Sequence, residues 1–492
     1  MKVLLVGGGG REHALALMIL RSTIEPQIYV ASPHVNPGLR RIADISRGRL
    51  FKVNVNDGQE VLKIAEKTSP DLIIIGPEEP QFAGVVDTLC EKGFTVFGAT
   101  ARLAEIEKNK VFARKLMWKY DIPGRLWFKA FKNIAEALEF AEVAGDVVIK
   151  PARQAGGKGV KVLADVEAYL TQEKKVAKKL SIMKIHKEVI SKYRDIDYAV
   201  LIEQRVEGVE YTIMTITDGK TLLALPLVQD HPHAFEMDLG PETGGMGSIS
   251  GPGLILPFIT KEEFHESLEI VRKSLEALQN EVGDTYRGAL AGQMMLTPIL
   301  GPTLIEFYSR FGDPEIANIL PVIESDFLEI LDRAATGRLA GTKLKVKEDV
   351  ATVVKVIAPA GYPQNKSIAQ GHPISIDEQR IREIGCIPLY ASLEEVNGEL
   401  VTLGSRAIET VCWGSTHEEA SRRAELAVNA VKSLDGWPLF HRSDIGSAQH
   451  LCSRIMLAER VRITYTYRRK KGLAHVYNPF DTLSILRQIK SR

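Results

Sequence analysis

The sequence predicts a multidomain α/β and α+β protein, and three observations carry that reading. Over roughly the first hundred residues short β-rich runs alternate with helical stretches, the pattern of a parallel sheet with helices on both faces. From about residue 103 to 325 glycine-rich loops interrupt longer strands, and from about 345 strands resume ahead of one more helix. A length of 492 residues suffices for about three domains, each with its own core.

In the first region "KVLLVG", "QIYVAS", "DLIIIGPEEP" and "FTVFGA" read as strands ending in turn residues, and 59–67, "QEVLKIAEK", reads as a helix. In the second, "DVVIKPA", "AVLIEQRV" and "PTLIEFYS" are strands among the loops "QAGGKGV" and "GPETGGMGSISGPG". The segment 165–194 reads as a Lys-rich helix with a solvated face. In the third, "DVATVVKVIAPAGYP" and "IETVCWG" are strands and 417–434 a helix. From Arg454 to Arg492 ten Lys or Arg face Glu459 and Asp481, with Tyr465, Tyr467 and Tyr477 interleaved, which makes the end of the chain a basic extension.

Hydrophobic content of 45% and charged content of 25% are ordinary for globular protein. A net charge of +1 gives no reason to expect nucleic acid or an anionic membrane as the main partner. The apolar run in "MKVLLVGGGG" is too short for a signal-peptide core and reads as a first strand. No stretch approaches the roughly 20 apolar residues that span a bilayer. Cys90, Cys386, Cys412 and Cys452 are scattered without metal-like pairs, so neither a disulfide nor a zinc site is expected. The expectation is a soluble cytoplasmic protein, monomeric or dimeric.

"LLVGGGGREHALA" places a glycine-rich turn between a strand and a helix, where phosphate can be cradled. The dinucleotide fingerprint fails, because its third glycine position holds Glu12 or His13, and "IYVASPHVNPG" offers no acid for a ribose hydroxyl. A helix N-terminus with Arg11 and His13 beside it suits a single phosphate on a smaller ligand. In "VVIKPARQAGGKGVKVL", Lys150 ends a buried strand, and the loop with Gly156, Gly157 and Lys158 adds backbone N–H groups and a second cation. Two lysines framing a glycine loop suit nucleoside triphosphate phosphates. "VLIEQRVEGVEYT" puts Glu203 at a strand end with Glu207 and Glu210 after a turn, an adenine hinge or an exposed hairpin.

"LIEFYSRFGDPE", 304–315, is the densest polar stretch. With a strand's period of two, Glu306, Tyr308 and Arg310 share one face, and Ile305 and Phe307 the other. Gln293, thirteen residues earlier in "GALAGQMML", falls where a hairpin neighbour of Glu306 would be. Amide and carboxylate oxygens are hard ligands suited to Mg²⁺ on ATP phosphates. Arg310 could hold a phosphoryl group or the carboxylate receiving it; alternatively it forms a structural pair with Asp313.

Taken in order, "GGREHALA", "IIGPEEP", "VFGATARLAEIEKNKVFAR", "VIKPARQAGGKGV", "IEQRVEGVE", "QDH", "GPETGGMGS", "RFGDPE", "AGYP" and "RSDIG" resemble the ATP-grasp ligases and, within them, the glycinamide ribonucleotide synthetase family, from Met1 to about Gly446. The resemblance implies a Rossmann-like domain at 1–102, an ATP-grasp domain at 103–325 with a small lid near 120–195, a β-rich domain at 326–447, and an extension at 448–492 without counterpart. It implies ATP-dependent joining of glycine to 5-phospho-β-D-ribosylamine through glycyl phosphate, with Mg²⁺ or Mn²⁺. By position, Lys110, Lys150 and the loop of Gly156, Gly157 and Lys158 would hold the ATP phosphates. Glu203 and Val206 would form the adenine hinge, and Glu210 would contact the ribose. Arg310, Lys150 and Asp313 would be catalytic, and Glu306 with Gln293 would bind the metal. Gly9, Gly10, Arg11, His13, Gly76, Pro77 and Glu78 would face the phosphoribosyl group. So would Asp238, Gly240, Thr243, Gly244, Gly245, Met246 and Gly247.

Two positions depart from the family pattern. Tyr308 stands where a second metal ligand, asparagine, is usual, and Glu242 stands where the loop normally has asparagine. They motivate a competing reading, an ATP-grasp protein that binds nucleotide without turnover. An ATP-grasp ligase with another acceptor is a further reading, against which the "GGREH" and "RFGDPE" pair argues. An RNA-binding role for the tail is weighed against a surface extension or oligomer contact.

Overall fold

The computed structural model describes residues 1–153, the backbone of 161–163, and residues 178–184, 187, 191 and 195–474. Gly156, Gly157 and Lys158, most of the Lys-rich segment 165–194, and Tyr477 lie outside the described residues.

Val3, Leu4, Leu5 and Val6 of β1 (Lys2–Val6) are completely buried, the mark of a strand covered on both faces. β1 sits at the middle of five parallel strands with β2 (Gln27–Ser32), β3 (Arg49–Lys52), β4 (Leu72–Ile75) and β5 (Val96–Phe97), in the order β3-β2-β1-β4-β5. The order reverses beside β1, as in Rossmann-like sheets, and the helix Gly10–Leu20 leaves the end of β1.

A small antiparallel sheet follows, ordered β6 (Phe128–Phe131), β9 (Val200–Gln204), β7 (Val147–Pro151) and β8 (Lys161–Leu163). The helix Ile134–Ala144 closes it through Ile134, Leu138 and Ala141 packed with Phe131, Ile149 and Ile202. The large sheet carries β17 (Gly301–Tyr308), β16 (Gly288–Thr297), β10 (Val209–Thr217), β12 (Val228–Asp230), β15 (Gly247–Ser250), β18 (Ala351–Pro359), β23 (Ile408–Gly414) and β20 (Cys386–Tyr390) in that order. β11 (Leu222–Ala224) adds to β10 and β25 (Leu439–Phe440) to β18. Strands on either side of residue 325 thus share one sheet, joined where β15 pairs β18. A hairpin of β13 (His233–Phe235) and β14 (Leu239–Glu242) and a small sheet of β21 (Leu393–Val396), β22 (Glu399–Leu403), β19 (Gln370–Ile376) and β24 (Val431–Ser433) complete the strands. The molecule is an α/β and α+β assembly with a parallel-sheet N-terminal domain and a β-rich C-terminal region. Among the described residues no helix is long and apolar enough to cross a membrane.

Three sequence expectations need correction or extension. Cys386 and Cys412 form a disulfide with an S–S distance of 2.00 Å, because antiparallel pairing of β20 with β23 sets them directly opposite. Their separation of 26 residues carries no local sign of that register. The helix expected over 417–434 ends at Val428, and Val431–Ser433 instead pairs with β19. The basic extension begins as a helix, Ala448–Lys470, docked on the protein. Ala458 and Val461 are buried, and Arg462 bonds Glu263 at 2.8 and 2.9 Å and the Phe258 carbonyl at 3.1 Å.

Candidate active site

The small sheet and the β16–β17 hairpin face each other across a cavity of about 380 Å³. On the small-sheet side Lys150 Nζ lies 3.0 Å from Glu203 and 3.7 Å from Glu306, while Lys110 Nζ lies 3.1 Å from Glu306. Glu203 also accepts from Arg114 Nε at 2.5 Å. Burial alone would raise the Glu203 carboxyl, but Arg114 and Lys150 outweigh it and bring it down to about 2. Burial likewise works against charge on Lys150 and Glu306, yet their opposite neighbours keep Lys150 raised and Glu306 lowered. Lys150 is therefore held charged beside the cavity by Glu203 and Glu306.

On the facing wall Gln293 and Glu306 are direct cross-strand partners. Register then skips one residue, so Ile305 is the extra member of a β-bulge. The bulge turns Ile305 into the cavity beside Glu306, whereas Phe307 stays in the core; the period-two reading had paired those two. Tyr308 Oη donates to Gln293 Oε1, and the Arg310 guanidinium lies 4.3 Å over the Tyr308 ring. Burial, then the Glu306 charge, pushes the Tyr308 phenol well above its ordinary value, so it remains a donor. Arg310 pairs with Glu78 at 3.3 Å and Glu107 at 3.2 Å. Asp313 does not pair with Arg310: it meets Arg406 at 2.8 Å and accepts the Arg11 N–H at 3.0 Å.

Val206, Glu210, Thr243 and Gly244 also line the cavity, as does Glu242. Enclosure in the cleft, then the charge of Glu306, raises the Glu242 carboxyl. Gly245, at φ +107°, passes so close to Asp230 that a Cβ would lie 2.5 Å from its Oδ1. Met246 is fully buried, and Gly247 is paired within β15. Asp238 and Gly240 belong to the β13–β14 hairpin beyond the cavity wall, where Arg442 and Arg454 bind the Asp238 carboxylate.

The N-terminal turn borders this site without lining the cavity. Glu12 folds back into it, accepting from Gly9 N at 2.7 Å and from Arg11 Nε at 2.7 Å. Gly76 makes room for that carboxylate, since a Cβ there would sit 2.1 Å from Glu12 Oε1. Gly10 similarly faces Glu409, and Pro77 precedes the short helix that begins with Glu78. Arg11 also donates to the Phe311 carbonyl at 3.1 Å and lies 3.8 Å from Glu78. His13 points elsewhere: its Nδ1 accepts the Tyr390 N–H at 2.8 Å, between the first helix and β20. Burial, then Arg41, pushes its pKa down to about 3.

Sequence reasoning did not single out Arg114, Glu107, Arg406 or Asp230. Arg114 was findable, one helical turn after Lys110 on the helix Lys110–Lys119. Arg406 was not, being 93 residues from the aspartate it holds.

A cleft with paired lysines between a small antiparallel sheet and a larger one, behind a Rossmann-like domain, defines an ATP-grasp enzyme. Family models described as the phosphoribosylglycinamide synthetase N domain, ATP-grasp (A) domain and C domain match residues 1–107, 108–316 and 352–448. The chain belongs to the phosphoribosylglycinamide synthetase family. It is 41% identical over 464 residues to the phosphoribosylamine–glycine ligase of Pyrococcus furiosus, covering 94% of this chain and 98% of that one. The Methanocaldococcus jannaschii ligase of the same name is 40% identical over 467 residues, covering 94% and 100%. The crystal structure of the Thermotoga maritima phosphoribosylamine–glycine ligase superposes with a TM-score of 0.70 at 26% identity, covering 90% of this chain and all of that one. A Hydrogenobacter thermophilus biotin carboxylase domain in complex with ADP and magnesium has a TM-score of 0.63 at 15% identity, covering 97% and 99%; that likeness shows the fold alone.

Proposed function

We propose that this chain joins glycine to 5-phospho-β-D-ribosylamine with ATP, giving glycinamide ribonucleotide, ADP and phosphate, in de novo purine biosynthesis in the cytoplasm. The observation that carries the reading is one cavity lined by Lys150, Glu306 and Arg310, with Lys110 paired to Glu306 beside it, in a chain matched by this family along most of its length.

A carboxylate is a poor electrophile, and amide formation in water is uphill. Transfer of the γ-phosphoryl group to a glycine carboxylate oxygen releases ADP and makes the acyl carbon reactive. The ribosylamine nitrogen then attacks that carbon, phosphate leaves, and the nitrogen loses a proton. The chain contributes position and charge. Lys110 and Lys150 would exchange Glu306 for ATP phosphates, Lys150 keeping Glu203. With its side chain committed to Arg114 and Lys150, Glu203 leaves its backbone and that of Val206 to meet adenine, and Glu210 the ribose. Arg310 would neutralise the acyl phosphate, and Asp313, fixed by Arg406, would hold the turn that carries it. Arg11, with Gly9, Gly10, Gly76 and Pro77, would receive the sugar phosphate once Glu12 yields, together with residues 240–247. The Glu78 carboxylate suits a sugar hydroxyl.

Among the described residues no group of three or more His, Cys, Asp or Glu is arranged to hold a metal. Mg²⁺, however, often takes one or two carboxylates and completes its shell with phosphates and water. Glu306 and Gln293 fit that requirement and would hold the ion, which when bound neutralises phosphate charge. The test is ADP release by purified protein with each substrate omitted in turn, then with larger amino acids. Release only with glycine and phosphoribosylamine together is expected; turnover without glycine, or with a larger amino acid instead, overturns the reading.

A further inference from the structure

The β13–β14 hairpin brings His233 and Glu242 to the cavity wall. At its tip Met237 and Asp238 have φ of 57° and 58°, left-handed values that side chains with a Cβ disfavour. Such a tip persists only where its surroundings hold it. Glu236 accepts from Ser443 N at 3.3 Å and Oγ at 3.1 Å, and Met237 N donates to Asp444 at 3.0 Å. Asp238 takes Arg442 at 3.0 Å on one carboxylate oxygen and Arg454 on the other. Arg442 itself is completely buried and also donates to the His233 carbonyl at 3.3 Å.

Arg454 comes from a different element than the other holders, the C-terminal helix Ala448–Lys470, within the stretch aligned with the curated relatives. The match to the family's C domain ends at 448, and Arg454 lies beyond it on the C-terminal helix. That helix is independently fixed farther along, where Arg462 meets Glu263 and the Tyr465 ring packs over Gly301. Its first turns are therefore presented to the hairpin from a rigid base. A charge-assisted bond from a guanidinium to a half-buried carboxylate is strong enough to fix a short hairpin.

We infer that Arg454 is a positioning residue for the ligation site: through Asp238 it sets the β13–β14 hairpin and so the following loop at the cavity wall. This rests on the proposed function in taking residues 240–247 to face the phosphoribosyl group. The consequence is that the C-terminal helix, without lining the cavity, holds in place the hairpin that forms part of the wall of the proposed sugar-phosphate subsite. The effect should fall mainly on KM for phosphoribosylamine, because the hairpin tip does not bond Lys110, Lys150 or Glu306; the Arg454 charge also acts on Glu210, so a small rise in the ATP constant accompanies it.

The test compares full-length Arg454→Ala, Arg454→Lys and the exposed-surface control Arg460→Ala. We expect Arg454→Ala to raise KM for phosphoribosylamine about tenfold with kcat and the ATP KM within about twofold, Arg454→Lys to recover most of it, and Arg460→Ala to match the wild type. Amide hydrogen exchange at 236–240, measured without substrates, should quicken in Arg454→Ala alone. Unchanged exchange and unchanged KM in Arg454→Ala overturn the inference, as does an equal fall in kcat/KM for both substrates. If the wild type performs another ligation, the exchange arm still decides whether Arg454 fixes the hairpin. If Arg454→Ala does not fold, Arg454→Lys is read for exchange and KM, and values equal to the Arg460→Ala control for an Arg454→Gln variant that folds overturn the inference.

Discussion

Tyr308 is the residue on which the site's chemistry turns. A neutral phenol is a poor Mg²⁺ ligand, and here its hydroxyl also occupies the Gln293 oxygen that would serve as one. The enzyme is therefore expected to need more Mg²⁺ than an asparagine at this position would require. Tyr308→Asn should lower the half-saturating Mg²⁺ concentration in a turnover titration, and Glu306→Gln should lose most turnover. A wild type silent at saturating Mg²⁺ but restored by Tyr308→Asn would favour a nucleotide binder over a ligase. Lys150→Ala would remove the proposed charged phosphate partner, worth on the order of 1.5–3 kcal/mol, and ATP binding by calorimetry should weaken accordingly. Arg11→Ala should instead raise the KM for phosphoribosylamine and leave that for ATP nearly unchanged. If only the ATP constant moved, the N-terminal turn would not serve the sugar phosphate.

Elements, rather than single residues, decide where His13 ends up. Its ring joins the first helix to β20, and as an acceptor it must stay neutral. Its folded pKa of about 3 lies below the ordinary 6.5, so the unfolded chain binds the proton first as pH falls. Its contribution to stability is complete above pH 6.5 and is lost as pH drops toward 3. By about pH 4 that loss is on the order of 3 kcal/mol, and a His13→Asn variant, which keeps an acceptor without the titration, should show a flatter acid limb in urea unfolding. The sequence carried the elements themselves well. "QIYVAS" is β2 residue for residue, and 59–67 lies within the helix Gly58–Thr68. The Gln293–Glu306 pairing was legible because hairpin neighbours are local. The bulge at Ile305 was not, since nothing in a run of alternating residues marks which strand will take one extra. The disulfide and the neighbours of His13 were invisible for a related reason: they depend on register between segments far apart in the chain.

Across the whole molecule one side chain ties the parts of the site together. Arg406, from the C-terminal region, donates to the carbonyls of Gly244 at 2.5 Å and Asp313 at 2.6 Å and to the Asp313 carboxylate at 2.8 Å. Arg406→Ala would remove the guanidinium from a largely buried Asp313, leaving it the Arg11 N–H and the Glu409 carboxyl, a loss on the order of 2–4 kcal/mol in urea unfolding, with turnover falling as well. Arg406→Lys should recover only part of both, because an ammonium cannot reproduce the guanidinium fork. In the proposed reaction these parts act together to activate glycine as an acyl phosphate. The most direct test is to supply glycine labelled with heavy oxygen in the carboxylate, together with ATP and phosphoribosylamine, and to weigh the phosphate released. One labelled oxygen is expected in each phosphate formed. Unlabelled phosphate, with product still accumulating, would contradict it.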